Sequence, residues 1–363
     1  MALTVERRPL TALTAAEREQ WRALAARAVE ANPFLEPELL VPAGAHLEGG
    51  ERVELLVVRD GERWRGCLAV RTQPKWSALW LPCVRSWRNP YGFLDTPLVD
   101  RDHVGPVCAA IARASGAWPG RAFLVVEHAA DGPVAAALLA AAPARPRSAR
   151  PFAFERVERA ALRRRPEDDY VRGFVSGKRR RELGRTRRLL ERETGGPVAL
   201  VDATGDGAAL DRFLALESAG WKGQAGTALA SRPGHERFLR ETVAGFAADG
   251  RIRLLELRAG ERTVAALLCV VADRTLYTLK IGYDETLASG APGILLLVDV
   301  ASWFHAQPEL DAVDSCASPD HPTINRLWPD RRGIVTPVLP AAGVGGRLTV
   351  ALDRRRRAAA EAS

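Results

Sequence analysis

A lysine interrupts a run that otherwise reads as a buried strand, and three small residues open the helix that follows. The run is Thr275–Tyr283, TLYTLKIGY, where Lys280 stands among β-branched and aromatic neighbours that suit a pleated surface. A lysine in such a place is unusual unless it is paired or at work. It could hold a substrate carboxylate or an oxyanion, or it could pair with Asp314 or Asp284. After a loop at 284–292 comes an apolar segment reaching Phe304, with Gly290, Ala291, Pro292 and Gly293 at its start. Proline's fixed φ and missing N–H suit a first helical position. Bare N–H groups and the helix dipole there can face an anion, and a diphosphate is the obvious ligand. The same residues also describe an ordinary capped helix beside a sheet, because the spacing is neither GxGxxG nor a Walker loop. The helix body is apolar on nearly every face, which predicts cover on both sides.

These residues need elements to hold them, and size and composition bound what those elements are. A chain of 363 residues with 47% hydrophobic and 26% charged content reads as globular, with two domains. Five cysteines, never in a CxxC, read as reduced thiols in a cytoplasm rather than as a disulfide framework or a zinc site. Six histidines without HExxH or HxH argue against a metal enzyme. No signal peptide opens the chain, and the apolar run 133–143 is too short to span a bilayer. A net charge of +8 favours anionic partners.

In chain order, Thr14 and Glu17 form a capping box before an amphipathic helix carrying Trp21, Leu24 and Val29. Strands at 53–59 and 63–72 meet at Asp60-Gly61, a hairpin signal, and a third strand is expected at 76–81. A loop around Asn89-Pro90-Tyr91-Gly92, a helix at 101–115, a strand at 122–127, a helix at 132–142 and a strand at 152–162 follow. Residues 168–194 then change composition: Lys178, Arg179, Arg180, Arg181, Arg185, Arg187, Arg188 and Arg192 surround Leu183, Leu189 and Leu190. They predict a basic helix that stops at Gly195-Gly196, either a solvated connector or an arm for an anion such as RNA. The second half repeats the element order of the first: helices, hairpin, strand, loop, helix, strand, helix, strand. LLVVRDGER at 55–63 even echoes LLELRAGER at 254–262. This favours duplication of one α/β unit. The tail from Arg354 onward reads as frayed helix or disordered.

Three stretches carry a resemblance to a known family: 216–227 (LESAGWKGQAGT), 280–284 with 289–296 (KIGYD, SGAPGILL), and Asp314-Ser315-Cys316. Together with the element order they resemble the GNAT fold of acyl-CoA N-acyltransferases. The wording is similar to the CelD-type acetyltransferase domain found in cellulose-biosynthesis proteins, which is related to the Fem peptidoglycan aminoacyltransferases. The match covers about 172–338, with a looser echo at 91–98.

The resemblance implies an α/β protein of tandem GNAT-like units with mixed sheets flanked by helices. Its parts would be a first unit at 1–167 without a coenzyme site, a basic connecting helix at 168–195, a second unit at 196–345 with the site, and a basic tail at 346–363. The family's Q/R-x-x-G-x-G/A loop falls here on 289–293, where the leading Gln or Arg is missing and Pro292 removes one donor. The implied coenzyme A contacts are Leu279, Ile281 and Gly282 on the strand and Ser289, Gly290, Ala291, Gly293 and Ile294 around the loop. Amide formation from a thioester needs a neutral amine, a route for its proton and donors for the developing oxyanion. Asp314, at a strand end facing the crevice, is the first candidate base, and Glu217 the second. Either could instead be structural, Asp314 capping a turn and Glu217 pairing with Lys222. Lys280 would hold the oxyanion, and Tyr283 or Tyr277 would protonate the leaving thiolate. Trp221, Lys222 and His321 would meet the acceptor. Cys316 lacks a partner histidine pattern and reads as small core.

The implied activity is a cytoplasmic transfer of an acyl group, acetyl first, from acyl-coenzyme A to an amine in a ternary complex, with no metal. Two other readings stand beside it: a Fem-like transferase drawing on aminoacyl-tRNA, and a non-catalytic binding protein of the same fold.

Overall fold

The computed structural model describes residues 3–76, 81–143, 149–165, 173–219, 229 and 232–361. The chain forms two compact units. The first contains residues 1–158 and 333–363, and the second residues 159–332.

The first unit opens with strand β1 (Thr4–Pro9) and helices α1 (Ala15–Ala26) and α2 (Pro37–His46). The capping box of α1 forms as expected, Thr14 and Glu17 satisfying each other's backbone. Next come β2 (Glu54–Asp60) and β3 (Arg63–Gln73), joined through Gly61 at φ +57°, a conformation cheap only for glycine. They lead to β4 (Cys83–Ser86), β5 (Leu98–Val99), α3 (Val104–Ala117), β6 (Phe123–Val125), β7 (Ala129–Ala130) and α4 (Pro133–Ala140). Strands β1 to β4 pair antiparallel in sequence, and β4 pairs parallel with β6. A strand is present at Cys83–Ser86, and most of the third strand expected at 76–81 lies outside the described residues. β1 and α2 are additions to the sequence reading; α2 carries Pro42 in its interior, a residue that masks helical periodicity.

The second unit takes the end of β8 (Phe152–Arg163), then α5 (Gly177–Thr194), β9 (Val198–Asp202), α6 (Ala209–Ala219), α7 (Pro233–Ala248), β10 (Ile252–Ala259) and β11 (Arg262–Ala272). It closes with β12 (Thr275–Tyr283), α8 (Pro292–His305), β13 (Ala312–Asp314) and α9 (Ile324–Leu327). The sheet order is β8-β13-β12-β11-β10-β9, antiparallel except for the β12–β13 pair. Helix α8 buries Leu295, Leu296, Val300, Ala301 and Phe304 with Leu255, Leu257, Leu267, Cys269 and Leu276 of the sheet. Each such side chain contributes roughly 1.5–3 kcal/mol when taken fully out of water. The other side is partly covered: Ile294, Leu297 and Val298 are half-buried against the same core, and Asp299 pairs with Arg187 of α5 at 2.6 Å.

The chain then supplies β14 (Asp330–Pro340), whose residues from Gly333 belong to the first unit and pair with β6 and β7, and α10 (Val344–Glu361). The tail is helical as far as Glu361, the helix alternative of the sequence reading. Leaving out the two-residue strands β5 and β7, the runs β1 to α4 and β9 to α9 both go strand, two helices, three strands, helix, strand, helix. The fold is α/β with mixed sheets flanked by helices.

Candidate functional site

Strand β12 is shared between two partners in an uneven way. Against β11 it pairs along its whole length, with a bulge that leaves Leu279 unmatched between Leu268–Lys280 and Cys269–Thr278. Against β13 it pairs only through Thr275, Leu276 and Tyr277. Beyond that point β13 ends, and β12 carries Leu279, Lys280, Ile281 and Gly282 onward without a partner on that side among the described residues. Bulges re-aim side chains and free backbone groups, and they recur next to active sites.

Helix α6 crosses this stretch. A Cβ on Gly282 would stand 3.2 Å from the backbone nitrogen of Glu217, so the close approach requires glycine. The crossing sets the Glu217 carboxylate beside the lysine: Lys280 Nζ lies 3.0 Å from Glu217 Oε1, an ion pair by distance although its angle falls outside a hydrogen bond's range. Glu217 Oε2 accepts from Leu229 N at 2.7 Å. The Glu217 side chain is fully buried and that of Lys280 is 18% exposed. Of the two pairings expected for Lys280, with Asp314 or Asp284, neither forms. Asp284 instead pairs with Arg262 and caps the turn that follows through Thr286 N.

Asp314 is 1% exposed and lies between Arg159 at 2.6 Å and Arg332 at 2.8 Å, while its Oδ1 accepts from Cys316 N. Burial pushes its carboxyl up, but the two guanidiniums outweigh this and hold it below the usual carboxylate range. A carboxylate so held is a weak base; the turn-capping alternative is the one the geometry matches. Arg332 also lies over the Tyr277 ring at 5.3 Å. Burial pushes the Tyr277 phenol up. Cys316, buried at φ +51°, has its thiol pushed well up by burial and by Asp314, which removes it as a nucleophile.

The expected diphosphate cradle is changed by its neighbours. The strand, the loop and the start of α8 at Pro292 fall where the sequence put them. Yet Ala291 is left-handed at φ 41°, its N–H goes to Ala288 O, and Ile294 and Leu295 N–H both go to Ala291 O. Leu190 of α5 covers Gly290 so closely that an added Cβ would stand 2.9 Å away. The Ser289 hydroxyl donates to Glu193 at 2.9 Å. An anion here would meet a carboxylate, a covered glycine and, with Pro292 lacking an N–H, only the Gly293 amide at the first turn. The residues do not fit a multi-donor diphosphate cradle.

Tyr283 is 37% exposed and packs its ring on Gly293. His321 uses Nδ1 to accept from Thr323 N and Ile324 N, at 3.4 Å each, capping α9. Trp221 and Lys222 lie outside the described residues. Among the residues singled out in sequence, the fold therefore joins Glu217, Lys280 and Gly282, and keeps Asp314, Ser289 and His321 in separate contacts.

The sequence reading missed His235. It sits in the first turn of α7, in line with Phe238, Leu239, Thr242 and Phe246, the buried face of that helix. Burial, Arg232 and Lys280 hold its imidazole below the ordinary histidine value. The available signal was its spacing of three, four and seven from those core residues. No group of His, Cys, Asp and Glu among the described residues could hold a metal ion.

Residues 177–321 match the family model described as "Acetyltransferase (GNAT) domain". The match covers less than half of the chain and is a likeness of that stretch to the domain. Three solved structures have similar folds. FemX aligns with a TM-score of 0.57 at 8% identity, over 96% of this chain and 100% of that one. A conserved protein of unknown function from Bacteroides thetaiotaomicron gives 0.56 at 13%, over 93% and 100%. L-PGS from Bacillus licheniformis gives 0.52 at 13%, over 93% and 96%. Likeness at such identities is a likeness of fold alone. No curated protein sequence matches the chain. The domain match supports an acyltransferase.

Proposed function

We propose that the second unit transfers an acyl group from an activated donor to an amine acceptor at the Lys280–Glu217 pair, as a cytoplasmic enzyme. The observation that carries this reading is the parting of β12 from β13 just before the Leu279 bulge, with a charged lysine aimed from the freed stretch. The amide groups of 279–282 and the Lys280 ammonium can stabilise the oxyanion as the amine adds to the acyl carbonyl. Glu217 holds the ammonium in place. Acyl-coenzyme A, acetyl first, is the donor the domain match favours; the CelD-type kinship belongs to the same reading. Five buried, unlinked cysteines accord with a reducing compartment, and no helix among the described residues is long and apolar enough to cross a membrane.

The test is thiol release from acetyl-CoA across a panel of amines, with Lys280→Gln beside the wild type. Loss of a donor to an oxyanion costs on the order of 100- to 1,000-fold in kcat. Unchanged turnover in the variant would remove Lys280 from the chemistry.

A second reading, transfer from an aminoacyl ester on tRNA, is favoured by α5. Gly177, Arg180, Arg181, Gly184, Arg185 and Arg188 line a hollow of about 690 Å³ on that helix. The coenzyme loop, by contrast, is covered by Leu190 and Glu193. Radiolabel transfer from aminoacyl-tRNA, with no thiol released from acetyl-CoA, selects this reading over the first.

A further inference from the structure

Helix α10 is turned partly inside out. A helix packed on a protein buries its apolar stripe and shows its polar one to water. In α10 the inward stripe begins at Gly345, where an added Cβ would stand 3.2 Å from Ala122, and continues with Thr349 and Asp353, both buried. Val344 and Leu348, one turn apart on the outer face, are 66% and 47% exposed. Among the described residues only one other large apolar side chain, Tyr283, is classed with them as exposed. Arg347, Ala351, Arg354 and Arg355 share that face at spacings of three, four and seven, and all are exposed.

On the arginine side the helix borders a hollow of about 710 Å³, whose other wall is the start of β8. Its lining combines three exposed arginines, Arg150, Arg347 and Arg354, with Phe152, Val350 and Ala351. Asp353 is the one carboxylate in that lining, and it is buried. Arg150, Arg347, Arg354 and Arg355 form no ion pair with an acid among the described residues. The sequence adds Arg356 and Arg357 next.

We propose that the outer face of α10 is a docking surface for a bilayer rich in anionic phospholipid. Cations and exposed apolar side chains interleave here, and the occupant must suit both. A nucleic-acid backbone would engage the arginines and leave Val344 and Leu348 in water. A bilayer engages both, its phosphates meeting the guanidiniums and its acyl boundary taking up the two apolar side chains. Each arginine near such a surface strengthens binding roughly fivefold. The net charge of +8 acts in the same direction. The inference concerns the first unit alone and holds whether or not the second transfers acyl groups.

Two measurements on the full-length protein test this. In the first, the protein is sedimented with vesicles of phosphatidylcholine, or of phosphatidylcholine and phosphatidylglycerol in equal parts. Binding should require the anionic lipid and weaken with salt. It should fall about 100-fold in the triple variant Arg347→Gln, Arg354→Gln, Arg355→Gln, with circular dichroism confirming that the variant folds. The triple variant Arg181→Gln, Arg185→Gln, Arg188→Gln removes the same charge from α5 and should bind nearly as wild type. No binding to the anionic vesicles, or equal losses in the two variants, overturns the proposal. In the second, Leu348→Cys is labelled with a polarity-sensitive fluorophore, selectively because all five native cysteines are buried. Its emission should shift to the blue on anionic vesicles and stay unmoved on neutral ones. An unmoved label overturns the proposal even where vesicles sediment the protein. RNA or polyglutamate that shifts the label as far as vesicles do would assign the face to an acidic macromolecule and overturn it too. The same shift from monomeric dihexanoyl-phosphatidylglycerol would place a single amphiphile in the hollow instead of a surface against the helix, and the docking reading would fall.

Discussion

At the scale of single residues, the buried ionisable groups sort by whether a partner reaches them. Asp100 and Asp314 are each bracketed by two arginines and stay charged despite burial. Asp95 is not so served. It is 6% exposed, accepts from Ser86 Oγ at 2.7 Å, and burial pushes its carboxyl up to about 7. A carboxyl raised on folding binds its proton more tightly in the native state. Its contribution is fully present below the unfolded value near 4 and is lost as pH rises to about 7. Asparagine keeps the shape without the titration. Asp95→Asn should therefore gain stability relative to wild type on going from pH 4 to pH 8, by at most about 4 kcal/mol. Denaturant midpoints of both proteins at the two pH values check this; a constant difference would show that Asp95 is ionised throughout.

At the scale of elements, the local signals were legible and the crossings were not. Thr275–Tyr283 and the helix start at Pro292 could be read because β-branched residues, a proline and an apolar run are properties of adjacent positions. The Gly195 stop of α5 is local in the same way. The partner of Lys280 could not be read, since Glu217 reaches it only because α6 crosses β12 at Gly282. Nor could Asp314's partners, with Arg159 lying 155 positions away. The Leu279 bulge leaves no mark in composition. The cover over Gly290 depends on where α5 docks, and the sequence offered that helix only as a basic segment. Gly282 is where this crossing can be tested. In Gly282→Val the new side chain meets the α6 backbone, and overpacking of this kind costs about 1–3 kcal/mol. It should also part Glu217 from Lys280, so acyl transfer falls more steeply than stability. Gly205→Ala, with nothing within 4 Å of its Cβ, is the matching control and should be near neutral. Equal effects from both would mean that α6 does not depend on the close approach.

At the scale of the whole molecule, the two repeats are not consecutive along the chain. The sequence reading closed the second unit with the strand near 334–338 and added a tail. In the structure, Gly333 onward lies in the first unit, where Val338, Leu339 and Pro340 pair with Val125, Leu124 and Phe123, and Ile334 and Val335 pair with Ala130 and Ala129. Val338 packs with Trp76, Cys83, Phe123 and Val125 in a small core whose described residues belong to the first unit. The first unit therefore depends on the last part of the chain to be made. A protein ending at Arg332 would keep every residue of the second unit, including Lys280, Glu217, His235 and the Arg159–Asp314–Arg332 cluster. It would leave β7 without its partner, β6 paired on the β4 side alone and the Trp76 core open, and unpaired strand edges beside an exposed core invite local opening. Hydrogen exchange is expected to rise by orders of magnitude at 83–86 and 123–130 in the shortened protein, while 252–283 stays protected. If both regions lose protection together, the units fold as one and the division at Arg332 has no energetic meaning. If neither does, the returning strand is dispensable to the first unit.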